Sequence, residues 1–226
     1  MGYMKDLDIQ QRNSSLDETL DARYSEGYFE RAEGSNYRNY SDDPRWNEII
    51  TLIESPHGNR GLTMLDVGAA KGWFVHHCNV RGHEALGVDI SKYAVENCAP
   101  LANGALTLAN VEYGLPYASS VFDIVTSWEF FEHIEESKVD QIIDDMYRVL
   151  KVGGELWLRI ALSDGASAET DVDATHVTMK PRDWWEKRIA ERQPMLVPIL
   201  NNETVLDRMF NGTDWKGRFF VYRKVE

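Results

Sequence analysis

Two carboxylates in this chain stand at the ends of short apolar runs, the place where a nucleoside binds in a doubly wound α/β sheet. Asp66 follows the apolar run Leu62-Thr63-Met64-Leu65 and leads into the turn Gly68-Ala69-Ala70-Lys71-Gly72. Asp89 ends a second short run, Glu84-Ala85-Leu86-Gly87-Val88, about 20 residues after that turn, the spacing at which an acid reaches ribose hydroxyls. Gly68 and Gly72 supply backbone angles, or a close backbone approach, that side chains would obstruct. A dinucleotide site needs a third glycine in a fixed pattern to bring a pyrophosphate against the helix start. That pattern is missing, so a nucleoside without pyrophosphate fits better, with Asp89 as the ribose ligand.

A second constellation lies in the loop Asp171-Val172-Asp173-Ala174-Thr175-His176. Asp173 and His176 have the chemistry of an acid and imidazole pair, in which the carboxylate orients a ring that takes a proton from a substrate nucleophile. The competing reading has the aspartate capping a turn and the histidine packing below a tryptophan. His133 is read as fixing a turn, Glu129 as facing the ligand, and His76 and His77 as packing or surface residues of a helix.

Elements must carry these residues to one place. Leu62 to Val67, Glu84 to Ile90, Ala105 to Leu108, Phe122 to Trp128 and Glu155 to Leu162 read as strands, with helical segments between most of them. This alternation implies an α/β fold, a doubly wound parallel sheet with helices on both faces, and ligands then sit at the carboxyl ends of the strands. The clearest helix spans Ser137 to Leu150, with apolar residues at three- and four-residue steps and Gly153 expected to close it. Ser91 is a good N-cap for the helix carrying Ala94, Val95 and Cys98, and its place after Asp89 also puts it near the ligand. Another helix is expected to start near Pro181.

From about Trp46 to Ile160 the chain resembles the class I S-adenosylmethionine-dependent methyltransferases. Asp66-Val67-Gly68-Ala69-Ala70-Lys71-Gly72 resembles the family's first motif, with alanine in place of its middle glycine. Asp89-Ile90-Ser91 resembles the acidic end of its second strand, and Asn110-Val111-Glu112 with Gly114-Leu115-Pro116-Tyr117 the segment that reads adenine. Phe122 to Ser127 followed by Glu132-His133-Ile134, and Arg148 to Leu156, resemble its fourth and fifth strand regions. Asparagine replaces a common aspartate at 110, but an amide oxygen still accepts a hydrogen bond from the adenine amine.

The resemblance implies a Rossmann-like, mostly parallel seven-stranded sheet with S-adenosylmethionine as cofactor. Asp66, Gly68, Ala70 and Gly72 would then hold its amino acid end, Asp89 and Ser91 the ribose side and Asn110 the adenine. Ile90 and Val111 would form apolar walls, with Ser127 and Trp128 on the methyl side. Family members often fold residues ahead of the first strand over the cofactor. Tyr24, Tyr28, Phe29, Tyr37 and Tyr40 would on that basis form an aromatic lid, a segment without helix or strand pattern. Tyr28 and Tyr40 would contact the cofactor and Tyr37 the reacting centre, since a cation near aromatic faces gains ~0.5–2 kcal/mol; the alternative is rings that serve as hydrophobic glue. The expected organisation is a tail and lid over residues 1–45, the tail to about residue 20 frayed or loosely helical, and a cofactor-binding domain over 46–226.

Composition narrows the partners. The 226 residues are 43% hydrophobic, enough for one sizeable core. Lys and Arg number 24 against 37 Asp and Glu, a net charge of −13, which repels a phosphate backbone and argues against nucleic acid. The basic residues Arg182, Lys187, Arg188 and Arg192 interleave with acids, as on an ion-paired helix face. No apolar run reaches the ~18 residues of a membrane span, so a soluble, cytoplasmic protein with no membrane partner is expected. Cys78 and Cys98 lack metal-ligand spacing and read as packing residues, and no metal is expected.

The leading expectation is methyl transfer to a small molecule. An alternative keeps the cofactor and changes the reaction. Attack of the cofactor's own amine on its γ-carbon would release methylthioadenosine and form an azetidine amino acid, as in some proteins resembling this fold, with S-adenosylmethionine as the sole substrate. A third possibility is a non-catalytic cofactor-binding subunit.

Overall fold

The computed structural model describes residues 22–35, 37, 40–58, 60–165, 168, 171–211 and 217–226; the expected tail before residue 21 lies outside them. Short apolar runs rich in β-branched residues form seven strands: β1 (Thr63–Val67), β2 (Glu84–Asp89), β3 (Leu106–Leu108), β4 (Phe122–Trp128), β5 (Leu150–Arg159), β6 (Leu196–Pro198) and β7 (Phe219–Lys224). Among the described residues the α-helices are α1 (Glu26–Glu30), α2 (Arg45–Glu54), α3 (Trp73–Val80), α4 (Lys92–Glu96), α5 (Glu136–Val149), α6 (Arg182–Arg192) and α7 (Leu200–Met209). The strands form one sheet in the order β3-β2-β1-β4-β5-β7-β6. β1 to β5 pair in parallel, while β7 runs antiparallel between β5 and β6. The expected doubly wound sheet is present.

Strand alternation divides the core in two. Leu65 and Val67 of β1, Val125 of β4 and Leu156 and Leu158 of β5 face one side, where Val139, Ile142, Ile143 and Met146 of α5 cover them with Trp185 of α6. Met64, Ile124 and Trp157 face the other, under Ile49, Ile50 and Ile53 of α2 and Phe74, Val75 and Cys78 of α3. Burying such side chains stabilises by about 1.5–3 kcal/mol each. This packing brings every carboxyl end of the parallel strands to one edge of the sheet.

Four boundaries differ from the sequence reading. The helix α5 ends at Val149 because Leu150 turns extended (φ −74°, ψ 132°) and pairs with Phe122, so β5 starts five residues before Glu155. Gly153 (φ +80°) therefore sits within β5, at the register shift, and does not close the helix. Cys98 lies beyond α4, although Ser91 caps that helix as expected by accepting the Ala94 amide. Finally, the aromatic segment does contain a helix, the single turn α1, in which Tyr28 and Phe29 are buried. The basic residues of α6 are ion-paired: Arg182 with Glu186 (2.7 Å), Arg188 with Asp140 (2.5 Å), Lys187 with Glu191 (3.8 Å) and Arg192 with Asp144.

Candidate active site

The turn after β1 is shaped by left-handed backbone. Gly68 has φ +76°, and a Cβ there would lie 2.5 Å from the Phe130 ring. The amides of Gly68 and Ala69 donate to the Val88 carbonyl, and that of Ala70 donates to Asp89 Oδ2 at 2.7 Å. Asp89 Oδ1 accepts the Ser91 amide at 2.8 Å. Burial pushes the Asp89 carboxyl up, against these backbone donors. An ionised carboxylate has about four acceptor positions, so with the Ala70, Ser91 and Ile90 amides as donors about one remains for a ribose hydroxyl.

This edge carries a cavity of about 270 Å³. Asp66, Gly68, Ala70, Asp89 and Ile90 form one part of its wall, Asn110 and Val111 another, and Trp128, Glu129 and Phe130 the end of β4. Tyr24, Tyr28, Phe29, Tyr37 and Tyr40 close it from the N-terminal segment, and Trp46 and Phe74 line it beside Trp128, with ring centroids 5.6 and 5.2 Å from that indole. Asp66 accepts the Thr126 hydroxyl at 2.7 Å; burial pushes its carboxyl up to about 7, with the Asp89 charge adding to the effect. The Asn110 side-chain oxygen accepts the Glu112 amide at 2.9 Å, capping a short 3-10 turn (Val111–Tyr113) and using one of the lone pairs that the sequence reading assigned to adenine.

Three expected cofactor residues stand outside the wall. Gly72 (φ +71°) starts α3, where a Cβ would lie 2.6 Å from the Ala102 methyl, so close packing explains that glycine. Ser91 is fully buried and donates its hydroxyl to the Tyr24 carbonyl at 2.5 Å, tying the lid to α4. Ser127 is buried, its Oγ without a hydrogen-bond partner.

The aromatic segment is fastened at several points. Tyr28 donates its hydroxyl to Asp173 Oδ2 at 3.1 Å, the Ala174 amide donates to the Gly34 carbonyl, and Lys71 pairs with Glu30 at 2.7 Å. Burial holds the Tyr28, Tyr37 and Tyr40 phenols well above their ordinary range, so they are neutral donors.

The proposed Asp173 and His176 pair takes a different form. His176 Nδ1 hydrogen-bonds Asp171, while Asp173 lies 4.0 Å from the other ring nitrogen. Asp173 accepts instead from Tyr28 and from the hydroxyl and amide of Thr175. The imidazole in the cavity wall is that of His133; His176 stands behind it, ring centroids 4.7 Å apart. Burial and the neighbouring His176 lower the His133 pKa to about 4, so the ring is neutral. The backbone explains this arrangement, because the Val177 and Thr178 amides both donate to the Glu132 carbonyl and clamp the loop onto the turn after β4.

The sequence reading undervalued His133 and omitted Phe130, Trp46 and Phe74. Glu129, read from the sequence as facing the ligand, lines the cavity: it directly follows a strand end, and it adopts φ +51°, a strained angle for a side-chain-bearing residue. It pairs with Arg159 at 3.3 Å and Arg218 at 3.1 Å.

Residues 65–158 match the family model described as a methyltransferase domain. Among solved structures, an S-adenosylmethionine-dependent methyltransferase from Archaeoglobus fulgidus is similar at a TM-score of 0.57 and 16% identity, over 78% of this chain and 94% of that one. A phosphoethanolamine N-methyltransferase from Haemonchus contortus, bound to S-adenosylmethionine, has a TM-score of 0.54 and 18% identity over 80% and 53% of the two chains. A geranyl diphosphate C-methyltransferase from Streptomyces coelicolor has 0.57 and 15% over 79% of each. No curated protein matches the sequence significantly. The motif order, the sheet order and the family match agree: residues 65–158 form a methyltransferase domain, carried on a sheet of the class I S-adenosylmethionine-dependent methyltransferase fold.

Proposed function

We propose that the enzyme transfers the methyl group in line to a small molecule held at the Tyr24, Tyr28 and His133 end of the cavity. The observation that carries this reading is the cavity itself, which runs from the Asp89 carboxylate to the His133 ring under an aromatic roof. Asp89 holds the ribose, Asn110 and Val111 the adenine side, and Asp66 with the turn at Gly68 to Ala70 the amino acid end. The sulfonium activates its own methyl group, so catalysis rests on alignment and water exclusion. Tyr37 and Tyr40 supply neutral aromatic faces to the cation. His133 takes the acceptor-side place first assigned to His176, with Asp173 reaching it through Thr175. Tyr24, Tyr28, Phe29, Tyr37 and Tyr40 act as the lid of the domain that follows. The net charge of −13 favours a small acceptor over nucleic acid.

One observation favours attack within the cofactor itself. A 270 Å³ cavity lies just below the ~300–1,000 Å³ typical of ligand sites, which suits a reaction with no second substrate. Incubation with S-adenosylmethionine alone, followed by mass spectrometry, separates the readings. Methyl transfer predicts no turnover until an acceptor is added, and then S-adenosylhomocysteine. Methylthioadenosine well above the spontaneous rate would replace it with cyclisation.

A further inference from the structure

Glu132 and His133, on the turn after β4, meet His176 of the clamped loop. One carboxylate oxygen of Glu132 and one ring nitrogen of each histidine lie within 4.8 Å of one another. Bonds from outside this trio fix what the rings present. Thr175 Oγ1 gives its single proton to Asp173 Oδ1, 2.5 Å away, and therefore accepts from His133 Nδ1 at 2.7 Å. His176 Nδ1 faces the Asp171 carboxylate, an acceptor, and is protonated likewise. With Nδ1 as the donor in both rings, Nε2 is the nitrogen that offers a lone pair to a metal. A carboxylate behind a ring nitrogen, orienting the opposite nitrogen for a metal, is a recurring support for histidine ligands.

Glu132 points to a ligand independently. It is fully buried; Oε1 accepts the Ala161 amide at 3.2 Å, and Oε2 has no hydrogen-bond partner. Leaving a buried acceptor of this kind unsatisfied is costly, more so when it is charged, and a cation would remove the cost.

We propose that Glu132, His133 and His176 form a binding site for a divalent transition metal of the zinc class. Two imidazoles and one carboxylate leave a tetrahedral ion a fourth, open position. His133 stands in the cavity wall, so that position opens toward the acceptor end, where an oxygen or nitrogen of the acceptor completes the coordination; this last step rests on the methyl-transfer reading, while metal binding does not. Bond lengths of ~2.0–2.2 Å place tetrahedral ligand atoms ~3.3 Å apart, so small side-chain rotations draw the trio together. Asp171 and Asp173 add negative charge behind the rings.

The test uses the full chain without a tag, treated with chelator, then titrated with Zn²⁺ by calorimetry and with Co²⁺ by visible absorption. S-adenosylmethionine affinity is measured on the same samples to separate a lost ligand from a lost fold. One equivalent of Zn²⁺ and a four-coordinate Co²⁺ spectrum are expected. His176→Ala should weaken binding at least about 100-fold and Asp171→Ala roughly 10- to 100-fold, with cofactor affinity retained. Absence of stoichiometric Zn²⁺ binding in the native sequence, or binding unchanged in both variants and in Glu132→Gln, overturns the site. Zn²⁺ binding by a protein that methylates no acceptor would uphold the site and count against methyl transfer.

Discussion

Asp89 Oδ2 accepts the Ala70 amide at 2.7 Å, so the end of β2 is hydrogen-bonded to the turn that follows β1. One carboxylate therefore shapes the glycine turn and faces the cavity beside it.

Replacement of Asp89 by alanine should remove both roles. Hydrogen bonds to a charged group contribute ~1.5–3 kcal/mol, so S-adenosylmethionine affinity should fall roughly 10- to 100-fold. Calorimetric titration checks this, and unchanged affinity would refute the ribose assignment.

Asp66 makes cofactor binding depend on pH. Its carboxyl is raised from 3.8 to about 7, so the folded protein holds a proton that the unfolded chain has lost. Its contribution to stability is therefore largest below about pH 4 and declines as pH rises through 7. Binding a cation favours the ionised carboxylate, so affinity should increase up to about pH 7 and then level, by at most about tenfold per unit. Comparing Asp66→Asn with the native chain between pH 5.5 and 8 isolates this effect from titration of the cofactor amine; an identical profile in both would refute it.

Two glycines with similar angles should respond differently to alanine. At Gly153 (φ +80°) nothing lies within 4 Å of a new Cβ, leaving only ~1–2 kcal/mol of backbone strain. At Gly68 the same strain is joined by overlap with Phe130, adding ~1–3 kcal/mol and displacing a cavity wall. Urea unfolding measures both, and only Gly68→Ala should also weaken the cofactor.

Tyr28→Phe removes the bond to Asp173 between lid and loop. A loss of about 1 kcal/mol in stability is expected, with several-fold faster cofactor release. Stopped-flow fluorescence from Trp46 and Trp128, both in the cavity wall, reads the release rate; an unaltered rate would mean that the lid does not depend on this bond.

Much of the cofactor half was legible because its signals are local. Strand runs alternate in sequence, Ser91 sits one residue before its helix, and Asp89 follows the glycine turn at fixed spacing. The acceptor half was less legible because Glu132, His133, Asp171 and His176 are joined by a loop clamp that has no sequence pattern. The packing role of Gly72 was illegible for a similar reason: its signature is that of a ligand turn, and its neighbours Ala102 and Leu106 are about 30 residues away and met only on folding.

The sequence alone determined the five parallel strands of the sheet, the edge at which a ligand binds and the nucleoside class of that ligand, since these follow from periodicity, turn chemistry and spacing along the chain. Tertiary structure decided which imidazole reaches the cavity, which aspartate supports which ring, and that Tyr28 bonds Asp173 across 145 residues. Those outcomes depend on where packed elements and backbone carbonyls place side chains, and no local pattern encodes that.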